Sequence, residues 1–262
     1  MPQFTIMYLL LLILLIVGIA VGALTGITGS SGVLVVVPVL SYMGIDFKTS
    51  IGTSLLVDVI TTTIVIYVYL KKKTLDIGIG LILGMGAIVG AQIGAFVAHI
   101  VPVLPLEIAF TAMAAYMSYY VIKKSYRTEE RGIRKINLKR PIALLIGFLL
   151  SIPIGTLTGI IGTSGGIMFI LVIILLFSMK AQNMVGTATL AMFLSAFSGS
   201  VGYFRIGHID FLAAIVIGLI ALISGYYFSI LAHKLDQKII YRFLGVVFII
   251  VVISEIVKIT VL

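Results

Sequence analysis

The stretch GITGSSG (26–32) follows a long apolar run, and a close copy, GIIGTSGG (159–166), stands about half a chain later. Both stretches are rich in glycine and hydroxyl groups and contain no charged residue. Glycine clusters of this kind interrupt a helix. The sequence therefore predicts two breaks of similar structure at places where the chain is otherwise hydrophobic enough to cross a membrane.

The composition around these breaks is that of an integral membrane protein. Of 262 residues, 61% are hydrophobic and 10% are charged, more apolar surface than a water-soluble core would hide. A spanning helix needs about 20 apolar residues, and only helices or closed barrels satisfy their backbone in lipid. The strands of a barrel would alternate polar and apolar residues, unlike the continuous apolar runs of this chain. The fold class is therefore all-α and polytopic. Long apolar runs occur at 4–24, 51–70, 77–100, 106–122, 184–204, 211–232 and 239–257, and shorter ones at 33–43, 141–154 and 167–179.

Charge and cysteine content exclude several classes of protein. Lys48 is the first basic residue, so we expect the run 4–24 to be a permanent helix rather than a signal peptide. There is no cysteine for a disulfide, a thiol nucleophile or an iron–sulfur cluster. Eight basic residues fall in 123–140, which is typical of a cytoplasmic loop and not of a nucleic-acid-binding surface.

The chain is an internal duplication. The four glycines at 22, 26, 29 and 32 match those at 155, 159, 162 and 165 without a gap, and Asp76 in the first half matches Asp210 in the second. We expect a first membrane repeat at 1–122, a basic cytoplasmic linker at 123–140 and a second membrane repeat at 141–262. Each repeat has about five hydrophobic segments.

The basic residues favour an inverted arrangement of the two repeats. If each glycine break is the tip of a hairpin, each repeat crosses the membrane an odd number of times and the second repeat is upside down. One side then holds Lys71–Lys73, the eight basic residues of the linker, Lys180, Lys234, Lys238 and Arg242, against Lys48, Arg205 and Lys258 on the other. If each glycine break instead lay within a single crossing helix, the basic residues would be divided less unequally between the two sides of the membrane. The positive-inside rule therefore predicts hairpins in the cell membrane, with the N-terminus outside. Because several pieces flanking the loops are short, we expect the hairpins to turn within the membrane and their glycine loops to meet near its midplane.

The loops have donors that suit a small anion. A helix is expected to begin after each loop, at Val33 and Ile167, and helix N-termini present free N–H groups and partial positive charge. The alternative is that the glycines only allow close helix packing, which we expect for the glycine-rich run 80–94. We predict a substrate site of backbone amides and hydroxyls formed by Thr28, Gly29, Ser30, Ser31, Gly32, Thr53, Ser54, Gly162, Thr163, Ser164, Gly165, Gly166 and Thr187.

Asp58 is a candidate coupling group. It lies well inside an apolar run, where a carboxylate is costly and is a functional hypothesis by default. Met192 occupies the corresponding position of the second repeat, so Asp58 has no symmetry mate. It would bind a proton or a sodium ion, between which the sequence gives no preference, or it would be held by neighbouring hydroxyls. For Gln92 we favour a helix-to-helix hydrogen bond over a role in a cavity.

Two other functions use the same residues. An intramembrane serine hydrolase would use Ser164 of the G-x-S-x-G stretch or Ser31, with His99 as base, but a hydrolase needs one such elbow and this chain has two. A passive anion channel would use the same donors as a carrier. Metal transport, ATP-driven transport and a bound cofactor have no motif here. The partners expected are a small anionic substrate and the lipid bilayer, and the sequence leaves open whether the chain forms a homo-oligomer.

At these loops the sequence resembles the sulfite exporter TauE/SafE family of membrane permeases. The resemblance depends on the duplicated Thr-Gly-x-x-Gly-x-x-Gly pattern beginning at Thr25 and at Thr158, on Pro38, on the pairs Gly52-Thr53 and Gly186-Thr187, and on Asp76 and Asp210. It covers nearly the whole chain. It implies transport of sulfur oxyanions such as sulfite, or of small organic anions such as sulfonates, by a permease without ATPase activity or an obligatory cofactor.

Overall fold

The computed structural model describes residues 3–126 and 139–234, apart from 164, 178, 180 and 233, together with residues 249 and 253. Within this part of the chain all regular structure is α-helical, which confirms the predicted fold class. The predicted segment 239–257 and residues 127–138 of the linker fall largely or wholly outside it. The helices are α1 (Gln3–Thr28), α2 (Val33–Tyr42), α3 (Phe47–Lys71), α4 (Ile77–Ile100), α5 (Val103–Tyr126), α6 (Arg140–Ile161), α7 (Gly166–Leu176), α8 (Ala181–Arg205) and α9 (Phe211–Ala232).

Six of these helices are long and apolar enough to cross a membrane, namely α1, α3, α4, α6, α8 and α9. Their outward surfaces are apolar as well, and an exposed apolar surface of this extent fits lipid rather than water. Large side chains on it include Ile16, Met85, Phe96, Leu145, Leu212 and Ile223. The chain is therefore a multi-pass membrane protein.

Each short helix folds back along the helix before it. Gly32, which precedes α2, lies against Val21 of α1, and later residues of α2 share a core cluster with earlier residues of α1. In the second hairpin Gly147, near the start of α6, faces Leu176 at the end of α7. With 10 and 11 residues, α2 and α7 extend about 15 to 17 Å, roughly half the hydrocarbon thickness. The chain thus forms hairpins at both breaks, as predicted.

Both breaks are shorter than the sequence suggested. α1 continues through Thr28 and α6 through Ile161, so the first glycine of each quoted stretch is helical. The piece predicted at 141–154 is only the first part of α6, a helix of 22 residues. α7 begins at Gly166, one residue before the predicted Ile167. Helical glycines are tolerated here because neighbouring helices pack directly on them.

Glycines bring two pairs of long helices into close contact. Gly90 and Gly94 of α4 lie against the backbone of α6 at Ile152 and Thr156. α1 lies against α9 in a similar way, through its glycines at 18, 22 and 26. Small residues that let backbones approach are the usual basis of helix association in membranes. The packing function expected for the glycine-rich run of α4 is therefore confirmed.

Two further contacts join the halves in matching ways. The backbone N–H of Asp76, before α4, donates to Thr187 Oγ1 of α8 at 2.9 Å, and the N–H of Asp210, before α9, donates to Thr53 Oγ1 of α3 at 2.9 Å. Each aspartate side chain also caps the helix that follows it, accepting from a backbone N–H three residues later at 3.0 Å. A second matched pair is formed by the hydroxyls of Tyr69 and Tyr203, which donate to carbonyls of α1 and α6.

Candidate functional site

The two glycine breaks lie side by side and run in opposite directions. Gly166 lies against the carbonyl of Gly29, while Gly162 lies against the side chain of Val33. The bends occur at Gly29 (φ 63°) and Gly162 (φ 82°). In this left-handed region a residue with a Cβ atom costs about 1–2 kcal/mol, so both bends require glycine. The two quoted stretches therefore form one structural unit.

This unit lies level with the middle of α3 and α8. Asp58 of α3 contacts the first loop, and the sulfur of Met192 of α8 contacts the second loop near Gly166. Both residues are close to the midpoint of helices that have 25 residues each. The loops are consequently enclosed at mid-length by helices of membrane-spanning size.

A cavity of about 30 Å³ separates the two loops. Since one water needs at least about 10–15 Å³ of such space, the cavity has room for about two water molecules. Both glycine loops contribute to its wall, together with α5. The lining residues are Ser30, Ser31, Val33, Leu34, Met113, Thr163, Gly165, Gly166, Ile167 and Met168.

The first loop holds the carboxylate of Asp58. Ser31 Oγ donates to Asp58 Oδ2 at 2.5 Å, and the Gly32 N–H donates to Asp58 Oδ1 at 3.0 Å. The Val33 N–H in turn donates to Ser31 Oγ at 3.1 Å. Asp58 has no exposed surface. The carboxylate thus lies at the N-terminus of α2, where the helix dipole favours a negative charge, and it contacts two of the predicted substrate-binding residues, Ser31 and Gly32.

The second loop differs at this point. Met192, which the sequence repeat pairs with Asp58, is fully buried and places a sulfur atom at the start of α7. Gly165 precedes this helix with φ 75° and has no side chain with which to cap it. The two loops therefore share a backbone pattern but face different groups, a carboxylate in one case and a thioether in the other.

The predicted hydroxyls of the first loop stabilise its turn. Thr28 Oγ1 donates to the Leu24 carbonyl at 2.7 Å and accepts from the hydroxyl of Ser30, whose Oγ lies 2.9 Å away. Ser30 also lines the cavity. Ser54, one helical turn before Asp58, is fully buried, and its hydroxyl has no hydrogen-bond partner among the described residues.

Thr53 and Thr187 lie away from the cavity wall. Thr53 Oγ1 donates to the Thr49 carbonyl at 2.7 Å and accepts from the Asp210 N–H. Thr187 Oγ1 accepts from the Asp76 N–H. These hydroxyls join α3 and α8 to the loops before α9 and α4, and their role in substrate binding stays a prediction.

Of the residues predicted to bind substrate on the second loop, Thr163, Gly165 and Gly166 line the cavity, whereas Ser164 falls outside the described residues. The sequence analysis missed the apolar part of the wall, Leu34, Met113 and Met168. Met113 comes from α5, which is distant in sequence from both loops. Nothing in its local sequence distinguishes it from a methionine that faces lipid.

The structure also shows where the candidate residues of the alternative functions lie, namely the serine and histidine of a hydrolase, Gln92, and possible metal ligands. Ser31, one of the two candidate nucleophiles, donates to Asp58. His99, the candidate base, is exposed near the end of α4, where its carbonyl accepts from Lys48 Nζ at 3.0 Å. Gln92 Nε2 of α4 donates to the Ser198 carbonyl of α8 at 2.6 Å, the helix-to-helix bond that we expected. The described residues contain no cluster of histidine and carboxylate groups that could hold a metal ion.

Comparison with known proteins identifies the family. A family model described as sulfite exporter TauE/SafE matches residues 14–254. The "probable membrane transporter protein YunE" of Bacillus subtilis (strain 168) is 26% identical over 242 residues, 85% of this chain and 89% of that protein. YjnA of the same organism, named in the same way, is 25% identical over 203 residues, covering 73% of this chain and 78% of its own. YdhB, a third such protein, is 22% identical over 218 residues, 83% and 88% of the two chains.

No solved structure shows significant similarity to the chain. The family match includes both glycine loops, the helices that enclose them and the paired aspartates before α4 and α9. The relatives are named as membrane transporters, and the chain described here is a multi-pass helical membrane protein. The chain therefore belongs to the sulfite exporter TauE/SafE family of membrane transporters.

Proposed function

We propose that this protein is a permease for a small anion, a sulfur oxyanion such as sulfite or an organosulfonate, and that it works by alternating access. The observation that supports this most directly is the pair of glycine loops around one cavity at mid-length of the bundle. Helices α2 and α7 begin at these loops, and helix N-termini bind anions through free amides and the helix dipole. No cofactor enters the proposed cycle.

The hydrogen-bond donors of the two glycine loops suit a substrate that must be released after binding. Ser30, Ser31 and Thr163 are hydroxyl-bearing residues of the cavity wall, and Gly165 and Gly166 also line it. Hydroxyls and amides bind an anion without a fixed cation, so the bound state is less tightly held than an ion pair in a low-dielectric interior. One carboxylate, that of Asp58, already sits on the amide of Gly32, which supports the affinity of these donors for a negative oxygen.

Alternating access is suggested by the paired contacts of the two halves. The bonds from Asp76 to Thr187 and from Asp210 to Thr53 link equivalent positions of the duplicated sequence, as an internal two-fold axis would require. Secondary transporters built from inverted repeats place their site where broken helices meet, and rock one part against the other. The cavity has room for about two waters, so on this proposal the structure is a closed form that widens when the anion enters. We place the N-terminus outside and the linker 123–140 in the cytoplasm of a cell whose plasma membrane holds the protein.

The test is flux in proteoliposomes that contain the purified protein. Sulfite, sulfate, thiosulfate, methanesulfonate and lactate are supplied in turn, with and without a proton gradient. We expect at least one sulfur-containing anion to enter faster than in protein-free vesicles. If none of the panel moves, the proposed function is wrong.

A matched pair of variants connects flux to the cavity. Thr163→Val removes a hydroxyl from the cavity wall, whereas Thr156→Val removes one that donates to the carbonyl of Ile152 within α6 at 3.0 Å. A hydrogen bond to a charged group contributes about 1.5–3 kcal/mol, so we expect Thr163→Val to raise the KM for the anion about tenfold or more. Thr156→Val should leave the KM within about twofold of the wild type. Equal KM values in the two variants would remove Thr163 from the site.

A passive channel would use the same donors. The two cases differ in accumulation, because a carrier coupled to an ion gradient concentrates its substrate against a gradient and a channel does not. Flux that equilibrates without accumulation under every ion gradient would favour the channel.

A further inference from the structure

The carboxylate of Asp58 occupies donors that the transported anion needs. Ser31 lines the cavity between the loops, and its hydroxyl donates to Asp58. Gly32, which begins α2, donates its amide to the same carboxylate. On the proposed function these are substrate donors, so the protein contains an anion of its own in half of its anion site.

The hydrogen bonds around this carboxylate favour its ionised form. A hydroxyl has one proton to donate. Ser31 Oγ accepts the Val33 N–H and donates its own proton to Asp58. Asp58 thus accepts through both oxygens, Oδ1 and Oδ2. Hydrogen bonds donated to both oxygens stabilise the charged form of a carboxylate.

We propose that Asp58 is the proton-coupling group and acts as a tethered competitor of the transported anion. When ionised, it holds the donors of Ser31 and Gly32 and repels a second negative charge from the cavity. A proton taken from the aqueous phase onto the carboxylate removes that charge and loosens its hold, so that the anion binds in its place. On the opposite side the proton and the anion both leave, and the carboxylate returns to the loop. The inference rests on the proposed anion transport and adds symport of a proton with each anion.

The asymmetry of the repeats sets the stoichiometry. Met192 stands where a second carboxylate would be and contacts the second loop near Gly166. A thioether takes up no proton, so the second loop has no titrating partner at this position. Among the described residues the two loops therefore contact one titrating carboxylate, and the proposal is one proton per anion.

Other titratable groups on the elements around α3 lie elsewhere. Tyr203 on α8 donates to the Gly159 carbonyl, and Tyr69, on α3 itself, donates to the Gly26 carbonyl. The remaining titratable residues whose burial is described on α1, α2, α3, α5, α8 and α9 are exposed or partly exposed: Tyr8, Tyr42, Lys48, Tyr67, Lys71, Glu107, Tyr116, Tyr119, Arg205, Tyr226 and Tyr227. Asp58 is the fully buried carboxylate of the described helices.

The experiment compares Asp58→Asn with the wild type in proteoliposomes. The probe is an anion of the flux panel that the wild type carries, with sulfate or methanesulfonate preferred because their charge is constant over the pH range tested. Two modes are measured: accumulation driven by an acidic exterior, and exchange of labelled for unlabelled anion without a gradient. The matched control is Asp46→Asn, which removes a carboxylate from the exposed N-cap of the same helix.

For the wild type and Asp46→Asn we expect acid-driven accumulation with one proton entering per anion. For Asp58→Asn we expect accumulation to fall to the level without a gradient, while exchange continues at a rate that no longer depends on pH. Accumulation by Asp58→Asn equal to that of the wild type would overturn the proposal. Loss of both exchange and accumulation in a correctly folded variant would also overturn it, because Asp58 would then be needed for binding or structure.

Ser31→Ala provides a second test if Asp58→Asn does not fold. This variant keeps the carboxylate but removes a donor to its ionised form. The pH of half-maximal uptake should rise, whatever the maximal rate, and an unchanged pH profile would contradict the coupling. Absence of flux for every anion in the wild type is a different result, since it refutes the proposed function on which this inference rests.

Discussion

Replacing Gly166 by alanine is the most direct test of how the two loops meet. A methyl group at this position would land on the carbonyl oxygen of Gly29, and the sulfur of Met192 would be 3.1 Å away. Gly166 is the first residue of α7, and Gly29 lies in the opposite loop. The main clash is therefore with backbone, which no side-chain rotation relieves. One of the two loops has to move.

The expected cost can be worked from these contacts. Overpacking a well-packed interior usually costs about 1–3 kcal/mol, and a clash with backbone belongs at the upper end. Movement of the first loop would also disturb the bonds from Ser31 and Gly32 to Asp58, and hydrogen bonds to a charged group contribute about 1.5–3 kcal/mol. We expect Gly166→Ala to lose about 3 kcal/mol of stability or more, and to lose most anion flux.

Two glycine variants serve as controls for this substitution. A methyl group on Gly78, in the first turn of α4, meets only Asp76 Oδ1 at 3.5 Å, so Gly78→Ala should be neutral or gain up to about 1 kcal/mol from helix preference. Gly44 has φ 88° and nothing within 4 Å of the added methyl. Gly44→Ala should therefore lose about 1–2 kcal/mol through backbone strain alone.

The assay is thermal unfolding in detergent, followed by flux in proteoliposomes at equal protein density. The predicted order of stability is Gly78→Ala, then Gly44→Ala, then Gly166→Ala. A Gly166→Ala protein with the melting temperature and flux of the wild type would show that the two loops are not in backbone contact.

Three further substitutions test contacts that join the helices, each by thermal unfolding. Tyr203→Phe removes a hydroxyl that donates to the Gly159 carbonyl at 3.0 Å and should cost about 1 kcal/mol; no loss would mean that the bond contributes nothing. Asp210→Ala removes the cap of α9 and should cost about 0.5–2 kcal/mol, whereas Asp210→Asn should retain most of the stability. Thr53→Val leaves the Asp210 N–H without its acceptor and should cost about 1–3 kcal/mol, a loss that Thr53→Ser should largely avoid.

The helices with clear chemical ends were predictable from the sequence. The apolar run predicted at 77–100 matches α4. Asp76 caps this helix at its start, and Pro102 follows its end, where a proline disfavours helical backbone in the residue before it. The hairpins were predictable for another reason. A chargeless cluster of glycine, serine and threonine recurs in register, and the basic residues separate best when each cluster is a tip.

The ends of α1 and α6 at the loops were not predictable in the same way. Glycine has a low helix propensity, so Gly155 and Gly159 suggested an early break. In the structure both stay helical because the backbone of α4, at Ala87 and Ala91, packs where their side chains would be. Tertiary packing decides whether these glycines stay helical, and a local sequence pattern carries no information about that packing.

The bond between Asp58 and the first loop was also beyond local reasoning, since 27 residues separate Asp58 from Ser31. It depends on α2 folding back so that its N-terminus faces the middle of α3. That geometry explains why the protein keeps a carboxylate in its interior despite the free-energy cost of burying it. An empty anion site would leave buried donors unsatisfied, each at about 1–3 kcal/mol, and a carboxylate that returns to them between cycles removes this cost. On the proposed mechanism, Asp58 then stabilises the empty transporter as well as coupling it, because a site that is stable when empty releases its anion more readily.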